Sequence, residues 1–347
     1  MGVAPRASRA ELPLQNRARI EFARTDDGCD LALHHYVGIR PDLPPVILCS
    51  GYACNRHFLD FDDRYSLARF LARRGFDVWI LELRGHGLSD PPQGRQRSWT
   101  FDDFVQYDVP TAIAYVRDQA DRAPVWIGHS MGGMVLYATL GQNPAAAAAL
   151  GGLITMASPV AFPPVPSRMI RSLGRLFLAV PFPERLPQHS ALTLLWGLVG
   201  WSAAAAAIGM NPANMEPGVF ARALRLFMCN VPRAMMRQVV HWAFTGEFTS
   251  RDGRTNYRAN LRRITVPALI IAGAVDRMAP PATVRFAFDQ IRSKSKRYRE
   301  FSLRQGDSID YGHVDLIFGR RAPEEVFVTV AQWIETEIAP AVTRRCG

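Results

Sequence analysis

The sequence predicts a doubly wound α/β fold: a mostly parallel sheet, helices on both of its faces, and a helical cap inserted late in the chain. Three observations carry that expectation. Short apolar runs of strand length recur between stretches of helical spacing, which is how strands buried on both sides read. Runs and helices alternate in chain order, and such alternation closes into a parallel sheet. The alternation stops near Val160 and resumes near Arg263, across a stretch rich in Pro, Ala, Arg, Trp and Met with no strand pattern. The expected organisation is a lead over 1–16, a core formed by 17–160 and 264–347, and a cap over 161–263.

The elements follow in order. ARIEFART (18–25) and LALHHYV (31–37) read as two strands around the turn DDGCD, with His34 and His35 as ordinary strand residues. PPVILCSG (44–51) is a buried strand, and RYSLARFLARRG (64–75) a helix closed by glycine. FDVWILELRG (76–85) is the next strand. The helix TFDDFVQYDVPTAIAYVRDQ (100–119) opens at Thr100 with Asp102 and Asp103 in its first turn. APVWIG (123–128) is a strand, MGGMVLYATLGQ (131–142) a helix and LGGLITMAS (150–158) a strand. Beyond the cap come the strand VPALIIAGAVD (266–276), a helix from Pro281, the strand YREFSLRQ (298–305), the loop GDSIDYGHVD (306–315) and a helix over 323–338.

Composition narrows the class. The chain has 347 residues, 48% of them hydrophobic, and a formal net charge of +10. Lys294 and Lys296 are its only lysines. The remaining positive charge is scattered arginine without aromatic interleaving, so no nucleic-acid partner is expected. A basic surface still concentrates anionic lipid or anionic substrate. Five cysteines without repeated spacing argue against a disulfide framework or a zinc site. No metal and no cofactor are expected. The N-terminus lacks the apolar run of a signal peptide, so a cytoplasmic location is expected, with membrane association through the cap. ALTLLWGLVGWSAAAAAIGM (191–210) has spanning length. Its alanines and the breaks at Gly197 and Gly200 favour a buried or lipid-facing helix pair instead.

The chemistry centres on Gly128-His129-Ser130-Met131-Gly132, a G-x-S-x-G pentapeptide between a strand and a helix. A sharp turn there lifts the serine hydroxyl clear of the sheet, and only small residues at Gly128 and Gly132 let the chain pass. A serine nucleophile needs a base, and the base an orienting acid. On this architecture acid and base follow the serine in that order, at strand ends. Asp276 closes one strand and His313 lies in the loop after the last. Backbone N–H groups should stabilise an oxyanion. Met131 supplies one, and Tyr52, with Ala53 as the alternative, the other. His129 is read as packing behind the nucleophile and His86 as shaping a loop. His57 and Cys54 line the pocket or sit in solvent. Trp196, Trp201, Phe227, Met228, Met235, Met236 and Trp242 floor an acyl pocket or fill the core.

With GHSMGG and LRGHGLSD the chain resembles the monoglyceride lipase and lysophospholipase branch of the α/β-hydrolases. YDVPTAIAYV followed by WIGHS, and YGHVDLIFG, resemble the acid lipase branch. It departs from acid lipases at Ser50-Gly51, where they carry His-Gly, and at Met131, where they carry Gln. The resemblance implies Ser130 as nucleophile, His313 as base, Asp276 as acid, and a lipid ester such as an acylglycerol or lysophospholipid as substrate. Acyl transfer and a non-catalytic binding role are the alternatives on the same scaffold.

Overall fold

The computed structural model describes residues 18–89, 98–162 and 209–340. Eight strands form one sheet in the order β1-β2-β4-β3-β5-β6-β7-β8. They are β1 (Arg19–Arg24), β2 (Asp30–Tyr36), β3 (Val46–Cys49), β4 (Val78–Leu81), β5 (Val125–His129), β6 (Gly152–Met156), β7 (Ala268–Gly273) and β8 (Lys296–Phe301). β1 pairs antiparallel with β2, and β2 with β4; every other pairing is parallel. Every residue of β3 to β7 is buried, as expected of strands covered on both faces. The edge strands β1 and β8 instead carry Arg, Glu and Lys and stay partly exposed, which discourages pairing with another chain.

Helix α1 (Leu67–Arg73) starts at Ser66, whose side chain accepts the Arg69 N–H at 3.0 Å. The helix expected from Thr100 is not uniform. A short α2 (Phe101–Asp103), opened by a Thr100–Asp103 capping box, passes through a π-turn at Phe104–Asp108 into α3 (Val109–Ala120). Pro110 lacks the N–H that would continue the i to i−4 ladder, and Asp108 is turned towards Arg84, whose Nε donates to it at 2.8 Å. Next come α4 (Met131–Leu140) and α5 (Pro144–Ala149). The strand expected over 76–85 ends at Leu81. Beyond it, the Glu82 carboxylate takes the backbone N–H groups of Arg56 and Leu88 together with His34 Nε2, and Arg84 binds Asp27 and Asp108.

Between β6 and β7 the described residues form α6 (Pro217–Phe227), α7 (Arg233–Thr245) and α8 (Tyr257–Asn260) and no strand. Positions 163–208 lie outside the described residues, and with them Trp196, Trp201 and nearly all of the apolar stretch 191–210. Among the described residues no helix is long and apolar enough to cross a membrane. The chain returns to the sheet at β7, then runs through α9 (Pro281–Gln290), β8, α10 (Asp315–Phe318) and α11 (Ala322–Trp333). β8 starts two residues earlier than expected and gives way after Phe301 to a 3-10 turn at Leu303–Gln305. The carboxyl ends of β3, β5, β7 and β8 face one rim of the sheet, where open α/β sheets place their ligands.

Candidate active site

Ser130 sits between β5 and α4 with φ 52° and ψ −120°. A non-glycine residue in that region stores about 1–3 kcal/mol of strain. Its N–H donates to Met156 O at 2.8 Å, and its carbonyl accepts from Gly133 and Met134, so neighbouring structure holds the strain in place. The surrounding backbone is crowded. A Cβ on Gly128 would stand 2.4 Å from the Gly132 carbonyl, and one on Gly132 would stand 2.2 Å from Cys49 O. The small residues at both positions therefore serve close backbone approach. Ser130 does not cap α4 with its side chain, so the hydroxyl is available for other work.

Asp276 and His313 meet on the same rim. Val275 N–H donates to Tyr311 O at 2.9 Å, which extends the β7 edge and staggers the two loops. His313 Nδ1 lies 2.7 Å from Asp276 Oδ2. The other carboxylate oxygen, Oδ1, accepts the N–H groups of Met278 and Ala279, each at 2.8 Å. Both side chains are buried. An acceptor on Nδ1 keeps the proton there and leaves Nε2 as the basic nitrogen. No hydrogen bond joins Ser130 to His313 among the described residues. In the absence of substrate such bonds are commonly long. What connects them is His129, whose Nε2 donates to His313 O at 2.9 Å and whose ring meets the His313 ring edge-on at 4.9 Å.

That bond settles how His129 contributes. Its partner is a carbonyl, so Nε2 carries the proton. Burial, then the nearby His313, pushes its pKa down to about 3. It is a neutral residue that ties the Ser130 turn to His313. Sequence reasoning placed it as packing, and the structure adds its hydrogen bond to His313 O.

The loop after β3 runs against the serine: a Cβ on Gly51 would stand 3.1 Å from Ser130 Cβ. Gly51 to Cys54 form a turn closed by Cys54 N–H to Gly51 O at 3.3 Å, with Ala53 at φ 56°. Tyr52 and Ala53 are its two central residues. Across the elbow, Met131 is the first residue of α4, where helix N–H groups have no intrahelical acceptor. The turn is tied to the region between β6 and β7. Cys229 N–H donates to Ala53 O at 2.7 Å, Asn55 N–H to Phe227 O at 2.9 Å, and Cys54 bridges Met228.

Two residues beyond His313, Asp315 forms a clamp that sequence reasoning saw only as a hydrogen-bond partner. Its carboxylate accepts Gly312 N–H at 2.8 Å, Asn214 Nδ2 at 3.1 Å and Asn211 N–H at 3.3 Å. Burial pushes its pKa up to about 6, against the pull of those donors. Gly209, at φ 70°, accepts the His313 N–H at 2.6 Å, and a Cβ there would stand 3.0 Å from Asp276 Oδ1. Sequence reasoning missed it because it sits at the tail of an apolar run. Its only signal in the sequence is a glycine just before Met-Asn-Pro.

The remaining histidines and apolar residues fall into place. His86 is buried, and its Nδ1 lies 3.1 Å from Arg84 O, which suits loop shaping. His34 pairs with Glu82 at 3.0 Å. His35 bridges Glu21 and Asp77 and stacks on Trp79 at 3.5 Å, so both do structural work within the strand. His57 is half-buried, and Cys54 is buried with its thiol directed at Tyr52 O. Trp242 packs edge-on against Phe101 and Phe248 and donates to Thr249 O, and Met235 is fully buried, so these two belong to the core. Phe227 joins Phe58 and Phe318, and Phe58 lies 4.7 Å from the His129 ring. Met228 and Met236 are part-exposed. Among the described residues no group of His, Cys, Asp and Glu is placed to hold a metal.

The same order of elements recurs in known proteins. The sequence profile of the alpha/beta hydrolase fold matches residues 44–319, from before β3 to the end of α10. Triacylglycerol lipase 2 of Arabidopsis thaliana is 24% identical across 78% of this chain and 71% of its own. Gastric triacylglycerol lipase of Mus musculus is 22% identical across 76% and 72%. Among solved structures, an esterase from Thermogutta terrifontis superposes with a TM-score of 0.60 at 18% identity, covering 92% of this chain and 98% of that one. A monoacylglycerol lipase from Paleococcus ferrophilus gives 0.56 at 18%, covering 88% and 98%. With its sheet order, its serine turn and a profile match over most of its length, the chain belongs to the α/β-hydrolase fold family.

Proposed function

We propose that this carboxylic ester hydrolase works as a serine hydrolase on lipid-like acyl esters, with Ser130 as nucleophile, His313 as base and Asp276 as its orienting acid. The observation that carries the reading is the His313–Asp276 contact at 2.7 Å, with the second carboxylate oxygen locked by two backbone N–H groups. A carboxylate held that way fixes the imidazole tautomer that a serine needs.

His313 Nε2 takes the Ser130 proton as Oγ bonds to the ester carbonyl carbon. The Met131 N–H, with that of Tyr52, receives the negative oxygen. His313 then passes its proton to the departing alcohol as the C–O bond breaks. Water, deprotonated by the same nitrogen, attacks the acyl-enzyme and releases the acid. The acyl chain is read as medium or long, from an acylglycerol or lysophospholipid. Support comes from the triacylglycerol lipases among the relatives and from the aromatic group Phe58, Phe227 and Phe318 beside the turn. In this reading 161–263 is the cap, of which 163–208 lie outside the described residues, and the cap touches the lipid surface.

A panel of p-nitrophenyl esters of rising chain length, then glycerides and lysolipids, tests the substrate class. Turnover that rises from acetate to the longer esters, and rises again with detergent-dispersed or vesicle substrate, is the expected outcome. A folded chain that hydrolyses none of them is not this enzyme, and equal rates on monomeric and aggregated ester would remove the membrane contact.

A further inference from the structure

His313 is held through its backbone as well as through Asp276. Its N–H donates to Gly209 O at 2.6 Å, and its carbonyl accepts His129 Nε2 at 2.9 Å. The N–H of Gly312, just before it, donates to Asp315 Oδ2 at 2.8 Å. Residues 209–214, from the segment between β6 and β7, run directly against this loop: a Cβ on Gly312 would stand 2.2 Å from Gly209 O. The same residues are fastened to the core. Asn211 Nδ2 donates to Asp310 O at 2.7 Å, and Arg320 N–H donates to Asn214 O at 2.7 Å.

Asp315 joins the two pieces. Its Oδ2 takes Gly312 N–H from the base loop and Asn214 Nδ2, at 3.1 Å, from the crossing segment, while Oδ1 takes Asn211 N–H at 3.3 Å. An aspartate at the first position of a short helix ordinarily serves that helix. This one faces away from it. The N–H groups of Ile317 and Phe318 go to Val314 O, and the carboxylate turns back to position 312 and across to 211 and 214. Asp315 is fully buried, and a buried carboxylate is costly unless its oxygens are satisfied. A helix of four residues does not call for that cost. Gathering N–H groups from two separate segments does, because an ionised acceptor holds such donors roughly twice as strongly as a neutral one. Among the described residues no hydrogen bond joins the Asp315 carboxylate to Ser130, Asp276 or the His313 imidazole, so its influence on the site runs through the backbone.

We propose that Asp315 is a positioning residue for the hydrolysis: it binds residues 209–214 to the loop of His313 and so keeps the imidazole seated on Asp276 while its Nε2 takes the Ser130 proton. The inference rests on the Ser130–His313–Asp276 reading and adds to it a second carboxylate that touches no reacting atom. It also makes the segment between β6 and β7 part of what holds the base, through Gly209 O, Asn211 N–H and Asn214 Nδ2.

Wild type, D315N, N214A and H313A are compared as full chains on a soluble acetate ester, well above the pKa of about 6 at which Asp315 ionises. Melting curves check folding. Two further readouts follow His313 itself: the rate of fluorophosphonate labelling of Ser130, and the far-downfield proton signal of the His313–Asp276 hydrogen bond. An amide accepts on one oxygen only and turns an N–H group towards the donors. D315N should therefore lower kcat by about 100-fold, the scale of a misplaced catalytic group, with KM nearly unchanged. Labelling should slow in step, and the downfield signal should shift or broaden. N214A, which removes the Asn214 donor, should lower kcat by about tenfold, and it carries the test should D315N fail to fold. A lower melting temperature with kcat, labelling and the proton signal unchanged gives Asp315 a structural role only and overturns the proposal, as does a loss confined to KM. Turnover retained in H313A overturns the triad reading and the proposal with it. An inactive H313A beside a fully active D315N overturns the proposal alone.

Discussion

The serine elbow and the segment between β6 and β7 are held by different forces. At the elbow, backbone meets backbone: a Cβ on Gly132 would intrude to 2.2 Å from Cys49 O. No side-chain rearrangement relieves that contact. In the second region, Gly218 has nothing within 4 Å of an added Cβ. There α6 and α7 are held through apolar faces, Phe220, Ala223, Leu224 and Phe227 on one and Met235 and Trp242 on the other. Apolar packing tolerates exchanges of similar volume, whereas a backbone collision tolerates none. The difference separates two tasks. On the proposed reading, the reacting atoms are positioned by a frame that cannot drift, while the helical segment between β6 and β7 can change without disturbing it.

Substitutions can break or sharpen that division. The largest effect is expected at the reacting groups. Ser130→Ala or His313→Ala should lower kcat by about 10⁶-fold with the melting temperature nearly unchanged, and on short and long esters alike. Near-normal turnover in either would dissolve the assignment. Asp276→Asn should cost about 10⁴-fold, because an amide no longer fixes the His313 tautomer. A loss confined to KM would point to a binding role for Asp276.

Gly132→Ala tests the frame. It should destabilise the fold by more than about 4 kcal/mol, read as a lower urea midpoint or as insoluble chain. A variant as stable as wild type would mean that the crossing of β3 and α4 is looser than described. Met228→Ala tests the other region. It should leave acetate ester turnover within about twofold and shift the octanoate-to-acetate ratio of kcat/KM by about tenfold, the worth of a methylene or two in an apolar pocket. Equal losses on both esters would show that this part of the chain also sets the chemistry.

The smallest effect concerns His129. Its pKa is pushed from 6.5 down to about 3. The unfolded chain therefore binds a proton below about pH 6.5 that the folded chain refuses. Stability from this group is fully present above pH 6.5 and falls as pH drops towards 3. In His129→Gln, which keeps a donor for His313 O, the melting temperature should fall less between pH 7 and pH 5. The difference is on the order of 2 kcal/mol, or a few degrees. An unchanged slope would show that His129 is not held neutral.

The same contrast explains what could be read from the sequence. Strands buried on both faces leave apolar runs, so β3 to β7 were legible. Backbone crowding leaves glycines beside the serine, so the elbow was too. Asp276 and His313 were found by chain order and strand ends, and the structure brings them to 2.7 Å. Gly209 and the Asn211–Asn214–Asp315 clamp were not legible, because they act across roughly a hundred residues of chain through single hydrogen bonds. The π-turn before Val109 was missed although Pro110 stood well inside the helix expected from Thr100, where a proline signals a break. The substrate surface leaves only composition, and composition does not distinguish an acyl floor from a core. Trp242 and Met235 proved to be core.

The most direct test of the central claim is covalent labelling with a fluorophosphonate, followed by mapping of the modified peptide. The serine reading predicts one phosphonate on Ser130 with loss of fluoride, abolished in Ser130→Ala and strongly slowed in His313→Ala. A folded wild-type chain that stays unlabelled, or that carries the label on another residue, would contradict it.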